Sequence, residues 1–188
     1  HVDAAAFLSA IQAAAFDARV VLRRVACYAQ SPDHPVIPSI PETEYLKGFE
    51  FTVAYLQDAE SLERAAYELA WDCRRENVFY IEVRFAPQLH VRGEFRVRDV
   101  LRAVCRGLER AKKEINQDPE VKRGALPRFE AGVIACAMRF FLPVFSEHYR
   151  AYFDALSMAR PEEIYGLASL ELARAVIASV EEDGLPVV

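Results

Sequence analysis

The sequence predicts an α/β fold built on a parallel sheet, and two changes of hydrophobic pattern lead to that prediction. Residues 78–85 abandon the helical spacing of apolar side chains and alternate apolar with polar residues, which is typical of a strand. Residues 131–140 are almost continuously small and apolar, as expected when both faces of a parallel strand are covered. Helical patterns before, between and after these strands give the rhythm of right-handed βα units.

The chain before the first strand is predicted to be mainly helical. Residues 2–28 are rich in alanine and fit one or two helices, whereas residues 31–41 carry four prolines and predict an extended connection. A short helix follows over residues 43–56, and a longer one over residues 58–77 with Asp58 as its N-cap. The apolar face of the short helix includes Tyr45, Leu46 and Phe49.

The second half continues the same alternation of helices and strands. Amphipathic patterns predict helices over residues 97–115, 144–156 and from Pro161 to Gly184, and residues 185–188 begin a third strand. A closed eight-stranded barrel needs about 250 residues. With only two to three parallel strands, the chain is predicted to form a single domain over residues 1–188 that is part of a (β/α)8 TIM-type barrel.

Composition argues against a nucleic-acid partner. The net charge is −5, whereas binding to a phosphate backbone depends on clustered Lys and Arg side chains that release counterions. Arginines do cluster along one stretch, but Glu94 and Asp99 lie among them, which favours a solvated face. These arginines are Arg92, Arg96, Arg98, Arg102 and Arg106.

The cysteines and the apolar runs indicate a soluble cytoplasmic protein without a membrane partner. Cys27, Cys73, Cys105 and Cys136 lie far apart and form no C-x-x-C pair, so free thiols are expected rather than a zinc knuckle or a disulfide scaffold. No apolar run is long enough to cross a bilayer, and the chain does not open with a signal-peptide pattern.

Four segments carry a resemblance to a known family. They read EYLKGFEFTVAYLQ over residues 44–57, LERAAYELAW over 62–71, VFYIEVRFAPQLH over 78–90 and GVIACAMR over 132–139. In this order they resemble the N-terminal to middle part of the adenosine deaminases, and they cover about half of the chain. The resemblance implies a parent hydrolase on a (β/α)8 barrel that converts adenosine to inosine and ammonia with zinc-activated water.

The resemblance assigns substrate contacts to four residues. Tyr45, Leu46 and Phe49 match the family's lid helix, which closes over the purine nucleoside and excludes water. Met138, near the end of the second strand, is implied to contact the bound substrate. Periodicity alone favours the core of a short helix as the explanation of the three lid residues, and the order and context of the segments make the lid interpretation equally good. A core methionine is just as ordinary as one that contacts substrate.

Three charged residues on the two strands are predicted to support the site rather than to act in catalysis. Glu82 and Arg84 alternate with the apolar face of the first strand, so they are expected to point into the barrel, where a charge needs a partner. Arg139 lies at the predicted carboxyl end of the second strand, the edge where barrel enzymes build their sites. We therefore expect an ion-pair network that buttresses the site, and we assign no catalytic residue.

The zinc ligands of the family are missing from the sequence. Adenosine deaminases hold zinc with an H-x-H pair, a later histidine and an aspartate, whereas His1, His34, His90 and His148 form no such pair. Glu147 and Asp154 do not share a helical face with His148, and His90 is expected to be a solvated loop residue. No metal or other cofactor is therefore expected in this chain, and the chain alone is predicted to be inactive.

Two alternatives remain open. The chain is also compatible with a non-catalytic module derived from the deaminase fold, used for nucleoside binding or protein interaction. A related deaminase acting on a nucleotide or a free base fits less well, because no basic phosphate clamp is evident. An incomplete sheet would expose apolar faces and edges, so self-association is expected.

Overall fold

A computed structural model describes residues 52–187 of the chain. Residues 52–55 form one helical turn, and the remaining described residues belong to a compact unit, Leu56–Val188. The helices predicted for residues 2–28, the proline-rich connection and most of the short helix over residues 43–56 lie outside the described residues.

The first long helix forms where the sequence predicts it. Helix α1, Ala59–Arg75, begins at Asp58, whose carboxylate accepts a hydrogen bond from the backbone N–H of Ser61 at 2.8 Å. This N-cap satisfies one of the backbone donors that the first turn leaves unpaired. After the helix, Asn77 adopts a positive φ of 61°, which turns the chain toward the sheet.

Two parallel strands form the sheet of the described residues. Strand β1, Tyr80–Phe85, is followed by a 3-10 helix, Pro87–His90, and strand β2 is Glu130–Ala135. The two pair in parallel from Tyr80 opposite Glu130 to Phe85 opposite Ala135, as predicted. Between them lie helix α2, Val97–Ile115, and the single turn α3, Pro119–Lys122.

The second strand is shorter than the sequence predicts. The prediction extended it to Phe140, but β2 ends at Ala135, and the last bond to its neighbour runs from the N–H of Cys136 to the carbonyl of Phe85 at 2.9 Å. Apolar continuity could not reveal this end, because Met138 and Phe141 are apolar for another reason: they pack in an aromatic cluster outside the sheet.

Two further helices complete the described chain. Helix α4, Glu147–Ala155, starts three residues later than predicted because the Ser146 hydroxyl caps it by accepting the N–H of Tyr149 at 3.1 Å. Helix α5 is Pro161–Glu181, and Gly184 beyond it has the positive φ that ends many helices. Val187 then makes a parallel bridge to Val133, which is the start of the predicted third strand.

The main core lies between the sheet and the helices α1, α2 and α5. Helix α2 supplies most of it, with a buried face that runs from Val97 to Ile115. Val133 of β2 contributes to it, as do Phe129 just before that strand and Leu172 of α5. None of the helices within residues 52–187 is long and apolar enough to cross a membrane.

Arginines on the outer face of α2 pair with carboxylates. Arg98 and Arg102 both bind the Asp183 carboxylate, at 2.9 and 2.8 Å, which lowers the pKa of Asp183 below its usual value. The remaining arginines of the predicted cluster are also paired: Arg92 with Glu147, Arg96 with Glu94 and Arg106 with Glu63. Such exposed pairs contribute little stability each, but they neutralise the positive face.

Candidate functional site

The candidate site lies at the carboxyl edge of the sheet, where open parallel α/β sheets bind their ligands. β1 and β2 both end there, at Phe85 and Ala135. The chain leaves β1 through the 3-10 helix Pro87–His90 and leaves β2 through the loop that precedes α4. Side chains from both segments meet in a second hydrophobic cluster.

This second cluster, here called the aromatic cluster, is built around Phe141 and Tyr149. Their rings stack with centroids 3.9 Å apart and an angle of 17° between planes. Met138 and Leu89 are half-buried against it, so the structure brings the loops after β1 and β2 together. The other members are Phe145, Tyr152, Phe153, Leu156, Ala159, Ile164, Tyr165 and Ala168.

Glu82 and Arg84 project from the face of β1 that points away from the main core, as their alternation predicts. Ile81, Val83 and Phe85 pack against the main core, whereas Glu82 and Arg84 are exposed. This is the face that a closed barrel would turn inward.

Two of these charged residues have hydrogen-bond partners within residues 52–187. Glu82 accepts a hydrogen bond from the Tyr80 hydroxyl at 2.6 Å, which raises the pKa of Tyr80. Arg84 Nε donates to Cys136 Sγ at 2.9 Å, and Arg139 is exposed four residues beyond the end of β2. No ion pair links Glu82, Arg84 and Arg139 in the part of the chain that the structure describes. Their supporting role stays a prediction.

The predicted lid residues Tyr45, Leu46 and Phe49 lie outside the described residues. Their contact with a substrate therefore stays a prediction, as does that of Met138. The structure places Met138 in the loop after β2, beside the carboxyl edge of the sheet.

Sequence reasoning missed a polar cluster next to these residues, here called the Glu171 cluster. One carboxylate oxygen of Glu171 on α5 lies 2.8 Å from His148 Nε2, 2.7 Å from the Gln88 amide nitrogen and 3.1 Å from the Tyr152 hydroxyl. Partial burial alone would raise the pKa of Glu171, but the hydrogen bonds from His148, Gln88 and Tyr152 outweigh it and lower the pKa.

Gln88 is the most deeply buried member of the Glu171 cluster, at 1% exposure. Its amide nitrogen also donates to the carbonyl of Ala168 at 2.9 Å, and its oxygen accepts from the Tyr149 hydroxyl at 3.4 Å. Its own carbonyl accepts from the Ser146 hydroxyl at 3.2 Å. Gln88 thereby ties the 3-10 helix after β1 to both α4 and α5.

The prediction that His90 is a solvated loop residue is wrong. Its side chain is only 6% exposed, because the 3-10 helix turns it inward onto the ring of Phe85. Its Nδ1 lies 2.8 Å from the carbonyl oxygen of Leu56, so this nitrogen carries the proton and donates. Burial lowers the pKa of His90 despite that hydrogen bond.

The described residues do not fit a zinc site. Glu147 pairs with Arg92, Asp154 is exposed, and His148 has Glu171 as its acidic partner. Across residues 52–187, no three His, Cys, Asp or Glu side chains converge in a way that could hold a metal ion. A zinc site needs at least three such ligands.

Comparison with known proteins points in one direction. A family model described as "Adenosine deaminase" matches residues 39–177. The adenosine deaminase of Streptococcus agalactiae is 37% identical over 118 residues, that of Clostridium perfringens 44% over 70 residues, and that of Vibrio vulnificus 44% over 79 residues. These alignments cover 62%, 37% and 39% of the chain but 34%, 21% and 24% of the relatives, so the chain spans about a fifth to a third of their length.

Proposed function

Because the chain belongs to the adenosine deaminase family, we propose that its parent protein deaminates adenosine hydrolytically to inosine and ammonia. The relatives with 37% to 44% identity carry the name adenosine deaminase. The family match includes both parallel strands and the Glu171 cluster, and this single observation carries the proposal.

The proposed architecture is a (β/α)8 TIM-type barrel of which this chain supplies one part. Two parallel strands joined through α2, and the bridge from Val133 to Val187, support it. In that arrangement the exposed face of β1 faces the barrel interior, and the carboxyl edge of the sheet faces the substrate.

The proposed substrate contacts follow from the family resemblance and from position. Met138 contacts the purine from the loop after β2, while Tyr45, Leu46 and Phe49 cover it as a lid and exclude water. Glu82, Arg84 and Arg139 support the site without touching reacting atoms. The packing of Met138 and Leu89 in the same aromatic cluster, after the carboxyl ends of β2 and β1, supports the first assignment.

In the parent, the family's zinc would supply a water activated for attack on the purine carbon that bears the amine. The four histidines of this chain include no H-x-H pair, and the described residues form no metal cluster. The isolated chain is therefore proposed to bind no zinc and to be inactive. The cytoplasmic location expected from the cysteine pattern belongs to the same proposal.

The alternative function is a non-catalytic module that binds a nucleoside or another protein. Exposed apolar side chains on either side of α4 favour it, because Val144 is 73% exposed and Met158 96% exposed. Where such side chains form a contiguous patch, they mark interaction surfaces or sites of self-association. This module would bind adenosine or a partner without releasing ammonia.

Ammonia release from adenosine by the purified parent protein, with and without a zinc chelator, separates the two functions. The proposed enzyme releases ammonia and inosine in equal amounts and loses activity when chelated. A metal-loaded, folded parent that binds adenosine without releasing ammonia would instead establish the non-catalytic alternative.

A further inference from the structure

The Glu171 cluster connects three elements at the carboxyl edge of the sheet, and the proposed reaction assigns it no role. Glu171 comes from α5, His148 and Tyr152 from α4, and Gln88 from the 3-10 helix after β1. All three donors converge on the same carboxylate oxygen, within 2.7 to 3.1 Å. Hydrogen bonds to an ionised acceptor are the stronger kind, so this contact constrains the donors firmly.

Gln88 connects the Glu171 cluster to the segment that follows β1. The two N–H groups of the Gln88 amide are taken by the carbonyl of Ala168 and by Glu171. With Gln88 only 1% exposed, loss of the carboxylate leaves a donor without access to water, which is costly enough to move the side chain. Leu89, the next residue, packs in the aromatic cluster with Met138.

We infer that Glu171 is a positioning residue that fixes Gln88, and through it the 3-10 helix Pro87–His90, beside Met138 at the mouth of the site. This inference rests on the proposed function, because it assigns Met138 to the purine. Glu171 itself touches no substrate. Its contribution is to keep the segment after β1 ordered in the free protein, so that binding does not bear the cost of ordering it.

The inference predicts an effect on substrate affinity rather than on the chemical step. The free energy needed to order the segment after β1 is the same for the bound substrate and for the transition state. A less ordered segment therefore raises KM and leaves kcat unchanged. A merely structural role would reduce the amount of folded enzyme, which lowers the apparent kcat and leaves KM unchanged.

The test uses the full-length parent protein with Glu171→Leu, which keeps a side chain of similar size but removes both carboxylate oxygens, so that the donors lose their acceptor. Glu181→Leu is the matched control, because Glu181 is an exposed carboxylate of the same helix. Tyr152→Phe removes only one of the three donors and gives a graded comparison. Two readouts are needed: steady-state kinetics with adenosine, and hydrogen exchange of the backbone amides of residues 86–90.

We expect Glu171→Leu to raise KM about five- to tenfold with kcat within about twofold, and to speed exchange in residues 86–90 but not in α2. Tyr152→Phe should show a smaller effect of the same kind, and Glu181→Leu none. Unchanged exchange in residues 86–90 overturns the inference whether or not the parent is active. Faster exchange with a fall in kcat at constant KM also overturns it. A parent that releases no ammonia sinks the proposed function alone, and the exchange readout still decides the role of Glu171.

Discussion

Gly107 on α2 faces the backbone carbonyl of Glu63 on α1, and a Cβ added to Gly107 would lie 2.1 Å from that oxygen. No side chain can be accommodated there unless the two helices separate. We predict that Gly107→Ala destabilises the protein by about 1–3 kcal/mol, because overpacking outweighs the helical preference of alanine, which is about 1 kcal/mol. The urea midpoint of unfolding measures this change.

Gly166→Ala is the matched control for that substitution. Gly166 lies within α5, and a Cβ added there would have no atom within 4 Å. We expect it to stabilise the protein by up to about 1 kcal/mol. Equal effects of the two substitutions would show that the close contact at Gly107 does not exist in solution.

Asn116 holds the start of β2 with its side chain. Its amide nitrogen donates to the carbonyl of Phe129 at 3.0 Å, and its oxygen accepts the N–H of Phe129 at 2.8 Å. Both residues are buried, so Asn116→Ala leaves two backbone groups unpaired and should cost about 2–4 kcal/mol.

Asn116→Asp tests whether both bonds of that pair matter. The aspartate retains an acceptor for the N–H of Phe129 but cannot donate to its carbonyl. We therefore expect Asn116→Asp to be destabilised as well, with part of the loss in urea midpoint arising from the partly buried charge. A wild-type midpoint for either variant would contradict the arrangement.

Most of the fold of residues 58–187 follows from local sequence patterns. The alternation of apolar and polar residues predicted β1, and the apolar stripe predicted α2 with the same first and last residues that the structure shows. Asp58 and Gly184 correctly marked the start of one helix and the end of another. The predicted end of β2 was wrong because burial in a strand and burial in a side-chain cluster select the same apolar residues. Met138 and Phe141, beyond the end of β2 at Ala135, are apolar because they enter the aromatic cluster, and hydrophobicity does not distinguish that cluster from a strand.

The candidate site was less accessible to sequence reasoning. Gln88, His148 and Glu171 lie 23 to 83 positions apart in pairs, and no short motif connects them. His148 lies on α4, and its acidic partner is on α5 rather than in the neighbouring sequence. The one available signal was Gln88 itself, a polar residue directly after the strand and the proline.

Met138 offers a direct test of the proposed substrate contacts. If the methionine packs on the purine, Met138→Ala should raise KM for adenosine in the parent by about 10- to 100-fold, the range for removing apolar contacts from a pocket. Met138→Leu, which keeps the volume, should behave nearly as the wild type. A large loss of folded protein with unchanged KM would instead assign Met138 to the aromatic cluster alone.

The predicted lid can be tested in the same way. Phe49→Ala removes a large aromatic side chain from the proposed lid face and should raise KM for adenosine by roughly tenfold or more. Phe51→Ala, at a neighbouring aromatic position outside the set assigned to the lid face, is the control. Similar kinetics for both variants would favour the simpler explanation, in which these residues are the core of a short helix.

His90 gives the stability of the protein a specific pH dependence. Burial lowers its pKa in the folded state, whereas the unfolded chain has the ordinary value of 6.5. Between these two pKa values the unfolded state binds one more proton than the folded state, so the stability of the fold rises with pH. The contribution of neutral His90 to stability is fully present above about pH 6.5 and is lost as pH falls toward the folded pKa. One proton limits the slope to about 1.4 kcal/mol per pH unit. Glu171, whose pKa is lowered from 4.5, changes the stability only at more acidic pH.

We therefore expect the urea midpoint to rise between pH 5 and pH 7 in the wild type. In His90→Gln, which can still donate to the carbonyl of Leu56, that rise should be largely absent. An identical rise in the variant would show that another group is responsible.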